Sequence, residues 1–127
     1  MKAERPPPAP KRQRAFELGL SAENRAADVL RAQGFTIDTM RWRCPAGEID
    51  IVARQGPLLI FVEVKARGRL DDAAYSVTLR QRRRIASAAA MWLAAHPDDA
   101  SHDMRFDVIL VAPNAEPVHI PGAFEME

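Results

Sequence analysis

The chain is short of cysteine, and its one thiol, Cys44, can close no internal disulfide. No Cys/His cluster has the spacing of a zinc site, and the three histidines, His96, His102 and His119, are scattered. No apolar run is long enough to span a bilayer. The N-terminal stretch MKAERPPPAPKRQR has basic residues but no apolar segment of the secretory type. These absences argue against a secreted, disulfide-held or membrane-spanning protein and favour the cytoplasm. Charge of one sign is also lacking. The formal net charge is only +1, so bulk charge says nothing about partners.

What is present suits one soluble domain. The 127 residues are 47% hydrophobic and 28% charged. Residues 1–14, with Pro6, Pro7, Pro8 and Pro10, read as a disordered or extended basic tail. Residues 15–127 read as a single domain. Arg80, Arg82, Arg83 and Arg84 form a second basic cluster. Such patches either meet an anionic polymer or are solvated surface. No internal repeat is visible.

Helical periodicity runs from about Phe16 to Gln33, with Gly34 as a stop. FTIDTMRW (35–42), EIDIVAR (48–54) and LLIFVEVK (58–65) read as strands, with Gln55-Gly56-Pro57 as a turn. After a loop over 66–77, Thr78 caps a helix that runs to about Ala95. A loop at 98–103 leads to the strand MRFDVILVA, and EPVHI reads as a short last strand. The order of elements predicts an α/β fold, a mixed central sheet flanked by helices.

The informative stretch is GEIDIVARQGPLLIFVEVKAR, residues 47–67. Three carboxylates and a lysine, Glu48, Asp50, Glu63 and Lys65, sit inside apolar strand runs. Charged groups are rarely buried unless paired or metal-bound. Strand alternation puts Glu63 and Lys65 on one face with Leu59 and Phe61. It puts Glu48, Asp50 and Val52 on one face, opposite Ile49, Ile51 and Ala53. A two-residue turn at Gly56-Pro57 pairs 55 with 58, and so on to 50 with 63, although Gly-Pro is not a favoured hairpin pair. Asp50 then lies beside Glu63, and such like charges destabilise a sheet. A hard divalent cation removes that cost. At about 100° per residue, Glu23 falls on the stripe of Leu20, Ala26, Ala27 and Leu30, and so points at the sheet. Glu17, Arg25 and Arg31 have ordinary solvent readings. E-x-K alone is a very weak motif, read better as an exposed i,i+2 ion pair on an open sheet face with Asp50 solvated beside it, and only its combination with Glu23 and Asp50 strengthens it.

An inward helix Glu, an Asp in one strand and E-x-K in the next resemble the PD-(D/E)xK nuclease superfamily, including archaeal Holliday-junction resolvases. The pattern is similar to the YraN family of uncharacterised bacterial proteins. The matching residues are GxxxExxAxxxLxxxG (Gly19, Glu23, Ala26, Leu30, Gly34), GEID (47–50), FVEVKxR (61–67) and RFDV (105–108). They span about residues 15–124. The resemblance implies a restriction-endonuclease-like core. It implies Mg²⁺ or Mn²⁺ held by Asp50 and Glu63, with Glu23 as a further ligand, and Lys65 orienting or activating the attacking water. It further implies a nucleic-acid partner, DNA before RNA, and a homodimer of the kind that suits a four-way junction. Glu48 is then an auxiliary ligand or a partner for an arginine.

The second helix of that family usually begins V-T-x-x-K-Q. Here Val77-Thr78-Leu79-Arg80-Gln81-Arg82 puts Gln81 in the lysine position. Gln81 shares a helix face with Ile85, Ala88, Ala89 and Trp92, so it can reach the site as a hydrogen-bonding group but brings no charge. Arg80, Arg83 and Arg84 lie on the outer side, as phosphate contacts or solvated surface. Arg43 and Arg67 flank the site segments and are candidate phosphate contacts. Asp107 shares a face with Arg105 and reads as a structural ion pair. The histidines read as surface groups, and Trp42 and Trp92 as core or rim. Two rivals stand beside the nuclease. One is a non-catalytic nucleic-acid-binding module on the same fold. The other is an interaction protein whose carboxylates are structural.

Overall fold

The computed structural model describes residues 10–68 and 77–125. Helix α1 (Pro10–Ala32) leads into a meander of β1 (Thr36–Cys44), β2 (Gly47–Gln55) and β3 (Leu58–Ala66). Helix α2 (Leu79–Ala95) and a 3-10 turn (Pro97–Ser101) then precede β4 (Asp103–Val111) and β5 (Val118–Phe124). The five strands lie in sequence order in one sheet. All neighbours are antiparallel except β3 and β4, which run parallel. Parallel neighbours need a long crossover, and here it carries α2.

The mixed α/β sheet between two helices is the architecture expected from the order of elements. The two helices cover opposite faces. Ala22, Ala26, Ala27 and Leu30 of α1 pack on Ile51, Ala53, Ile60, Val62, Ile109 and Val111. Ile85, Ala88, Ala89 and Trp92 of α2 pack on Ile49, Val52, Leu59, Phe61, Phe106 and Val108. The i, i+3, i+4 spacing of each helix supplies its apolar stripe. Each large side chain fully buried there contributes about 1.5–3 kcal/mol.

The element ends differ from expectation in instructive places. Helix α1 starts at Pro10 rather than near Phe16. Proline is tolerated at a first helical position, where its missing N–H has no partner to lose. Residues 1–9, and most of the predicted loop at 66–77, lie outside the described residues. The expected loop at 98–103 contains the 3-10 turn instead. Asp99, buried there, accepts Arg54 Nη1 and Nη2 at 2.9 and 3.1 Å and Trp92 Nε1 at 3.3 Å. β5 runs on past EPVHI to Phe124, through Pro121. It is an edge strand, where a missing N–H costs no ladder bond.

Thr78 caps α2 as expected, and its hydroxyl accepts the Gln81 N–H at 3.2 Å. The hairpin register also holds, from Gln55↔Leu58 to Ile51↔Val62. Gly56 has φ +55°, while proline locks φ near −65°. That sign pattern is one that a two-residue hairpin loop of type II′ accepts, with glycine first. Among the described residues, no helix is long and apolar enough to cross a membrane.

Candidate metal and phosphate site

Strand alternation fails at one rung, and the acids gather there. Met40 of β1 packs against the α1-side core and Trp42 against the α2-side core. Residues two apart in a regular strand would share a side. Their partners behave alike. Met40 pairs with Ile51, which belongs to the α1 side, and Trp42 pairs with Ile49, which belongs to the α2 side. Both strands therefore change sides at the rung between, where Arg41 stands opposite Asp50. Arg41 has φ +57°, a left-handed conformation uncommon outside glycine and asparagine. The expectation that Ile49 shares a face with Ile51 and Ala53 is thus wrong. Its cause is a backbone reversal that residue types do not encode.

The reversal turns Asp50 between the two faces. On the α1 side it meets Glu23. Single oxygens of Glu23, Glu48 and Asp50 all lie within 4.8 Å of one another. On the α2 side Asp50 lines a pocket of about 180 Å³ with Glu48, Glu63, Gln81, Arg84 and Ile85. Asp50 does not continue the β2–β3 ladder opposite Glu63. Its Oδ2 instead accepts the backbone N–H of Val64 at 2.8 Å. Burial first, and then the neighbouring Glu63 carboxylate, push the Asp50 carboxyl up to about 8 against the opposing pull of the Val64 N–H. Burial also raises Glu23, against the pull of Arg41. The cluster is therefore an acid-rich site with too little positive charge. Three carboxylate oxygens at this separation are the hard donor set that Mg²⁺ or Mn²⁺ takes.

The cations are distributed unevenly. Lys65 is buried, with Nζ 3.4 Å from Glu63 Oε1. Arg41 Nε lies 3.6 Å from Glu23 Oε2 and 3.4 Å from Glu48 Oε1. Arg43, largely exposed, has Nε 3.4 Å from Glu48 Oε2. Glu48 is thus both a member of the acid cluster and an arginine partner. Arg84, expected on the outer side with Arg80 and Arg83, reaches the pocket wall. Its stem crosses Gly47, where an added Cβ would sit 2.8 Å from Arg84 Cδ and 2.9 Å from Cγ. With φ +150° as well, position 47 admits little but glycine.

The remaining candidates lie elsewhere. Gln81 lines the pocket, but its Oε1 accepts the Thr78 N–H at 3.0 Å in a capping box. Its amide N–H₂ is the part left to face the pocket. Arg83 lines a separate groove with Leu79, Arg82, Ala86 and Glu125. Arg80 is exposed on the surface of α2. Arg67 is exposed and donates from Nη1 to the Ala66 carbonyl.

Residues read as ordinary surface also have structural partners. Arg25 donates to the carbonyls of Ala112 and Ala115 at 2.7 and 2.6 Å. His96 stacks on Trp92 with ring centroids 3.8 Å apart. His119 Nε2 lies 2.7 Å from Asp107 Oδ2. Asp107 also takes a two-pronged pair from Arg105, at 2.7 and 2.8 Å, and the Gly122 N–H at 3.0 Å. Burial raises the Asp107 carboxyl, but these donors outweigh it and hold it below the ordinary range. That cluster is structural, as the shared face of Asp107 and Arg105 suggested.

The comparison with known proteins decides the family. Residues 22–111 match "Uncharacterised protein family UPF0102". The chain belongs to this family. A UPF0102 protein of Rhodopseudomonas palustris (strain HaA2) is 57% identical over 119 residues, covering 94% of this chain and 93% of its own. A UPF0102 protein of Bradyrhizobium diazoefficiens is 56% identical over 117 residues, covering 92% and 88%. The matched span includes every acid of the cluster, together with Arg41, Lys65, Gln81 and Arg84.

Proposed function

We propose that this UPF0102 protein is a metal-dependent endonuclease that hydrolyses DNA phosphodiester bonds, in branched or single-stranded DNA. The observation that carries this reading is the rung at Asp50. There an acid turned between two sheet faces meets Glu23 and Glu48, with Glu63 and Lys65 on the adjoining strand. Glu23, Glu48 and Asp50, whose oxygens lie within 4.8 Å of one another, would hold Mg²⁺ or Mn²⁺, with Glu63 on the adjoining strand as a further ligand. Bound there, the ion would neutralise developing phosphate charge and lower the pKa of a water molecule.

The chain's own groups supply the rest. The Val64 N–H fixes the Asp50 carboxylate. The Lys65 ammonium, 3.4 Å from Glu63 Oε1, would orient a water and offset charge gathering on the phosphate. Arg84 on the pocket wall and the exposed Arg43 beside Glu48 would meet neighbouring phosphates. Arg80, Arg83 and Arg67 would widen that contact. Two copies paired about a twofold axis would present two such pockets to a four-way junction. The single thiol suits a reducing compartment, and we place the protein in the cytoplasm.

A second reading has its own support. Arg41 and Lys65 already neutralise part of the acid cluster, as they would in a binding module without catalysis. The test is cleavage of labelled duplex, single-stranded and four-way-junction DNA with Mg²⁺ or Mn²⁺, beside Lys65→Ala and Asp50→Asn. Metal-dependent cutting lost in both variants is the expected result. Salt-sensitive binding without cutting would favour the module.

A further inference from the structure

Arg41 is a bulky residue held at φ +57°, and its guanidinium stands between two acids of the cluster. Its contacts differ in kind from the two forked arginine pairs described above, those of Arg54 and Arg105. Arg54 grips Asp99 through two nitrogens at 2.9 and 3.1 Å. Arg105 grips Asp107 through two at 2.7 and 2.8 Å. Arg41 uses one nitrogen for both partners, at 3.6 Å to Glu23 and 3.4 Å to Glu48. Paired forks at short range are strong and geometrically fixed, and single long contacts are neither. The Arg41 side chain is 34% exposed, so it has solvent to move into. Glu48 keeps a second cation, Arg43, when Arg41 leaves.

We propose that Arg41 is a positioning residue: an internal cation that holds Glu23 and Glu48 in place in the metal-free site and yields them when a divalent cation enters. This rests on the metal reading given above. The carboxylates it touches are two of the three whose oxygens lie within 4.8 Å of one another, and its neighbours Met40 and Trp42 pair with Ile51 and Ile49, on either side of the third, Asp50. Without a cation those acids repel, and a single positive charge among them offsets part of that cost. The same charge opposes an incoming dication. Arg41 therefore trades metal affinity for order in the empty site.

The test uses the full chain without nucleic acid. Mn²⁺ affinity is measured by titration calorimetry and melting temperature is measured with and without Mn²⁺. The variants are Arg41→Asn, whose side chain tolerates the left-handed backbone, and Arg41→Lys, which keeps the charge. Arg41→Asn should bind Mn²⁺ on the order of tenfold more tightly. It should melt lower than wild type without metal and gain more from saturating Mn²⁺. Arg41→Lys should stay nearer wild type in both. Adding Glu48→Gln to Arg41→Asn should restore the metal-free melt, because it removes an acid that lost its cation. If Arg41→Asn does not fold without metal, rescue by Mn²⁺ or by Glu48→Gln supports the proposal, and rescue by neither overturns it. Equal Mn²⁺ affinity in wild type and variant, with equal metal-free melts, overturns the role of Arg41 alone. Failure of both proteins to bind Mn²⁺ overturns the metal reading as well.

Discussion

The Val64 N–H donates to Asp50 Oδ2 at 2.8 Å, one step beyond the last backbone rung between β2 and β3. A side chain thus takes over where the ladder stops, and the acid that would hold a metal also ties two strands together. Replacement of Asp50 therefore has two separable effects. Asp50→Ala strands the Val64 N–H and should cost about 1–3 kcal/mol in urea unfolding. Asp50→Asn keeps an oxygen acceptor and removes one charge from the repelling group. It should be at least as stable as wild type near pH 8 while losing metal binding.

The raised Asp50 carboxyl sets the pH dependence of the metal-free protein. Its ordinary value is 3.8 and its folded value about 8, so in that window the folded state holds a proton that the unfolded chain releases. The associated stability is fully present below 3.8, falls as pH rises through the window and is gone above about 8. Glu23, also raised, adds a slope of the same sign. Urea midpoints without divalent ions should fall from about pH 5 to about pH 8, and Asp50→Asn should flatten the decline. A rising midpoint would refute the assignment. Asp107 has the opposite sign, since its lowered carboxyl contributes stability above 3.8 that is lost on acidification below it.

Gly47 and Arg84 should be coupled. Gly47→Ala meets both the φ of +150° and the Arg84 stem. A cost of about 1–3 kcal/mol is expected from the backbone strain alone. Added Arg84→Ala should recover part of the loss, the part due to the collision, and leave the strain. A double-mutant cycle by thermal unfolding measures it, and strict additivity would mean that the two do not touch.

The Asp107 cluster should serve stability and leave the metal site alone. Asp107→Ala leaves Arg105 unpaired and takes an acceptor from His119 and Gly122, and should cost about 3–5 kcal/mol. Mn²⁺ affinity of the folded fraction should not change. A loss of affinity there would tie β4 and β5 to the site.

The sequence made the architecture legible because each of its signals is local. Apolar spacing marks the α2 face through Ile85, Ala88, Ala89 and Trp92, and Thr78 announces the start of that helix. Gly56-Pro57 between two apolar runs fixes the register as far as Ile51↔Val62. Glu23, Asp50, Glu63 and Lys65 were legible as a group because charge among apolar neighbours demands a partner. Arg41 was not, because nothing about an arginine beside a tryptophan announces a left-handed backbone. The side change at Asp50 follows from that conformation, so strand parity failed at the residue that mattered most. Arg84 was misplaced by a helical wheel that gives a direction but not the reach of a long side chain. His119 and Arg25 were misread because their partners, Asp107 and the Ala112 and Ala115 carbonyls, are distant in sequence.

The sheet's one parallel pairing divides the molecule in time as well as in space. β1, β2 and β3 join through tight hairpins, so contacts among Arg41, Glu48, Asp50, Glu63 and Lys65 span few residues. The β3–β4 pairing, Leu58↔Asp103 to Ala66↔Val111, closes a far longer stretch of chain. Short loops close sooner than long ones. The acids are then drawn together before β4 completes the core, and their repulsion weighs on the folding barrier. Refolding followed by tryptophan fluorescence should quicken when divalent ions or mild acid relieve that repulsion, with unfolding changed less.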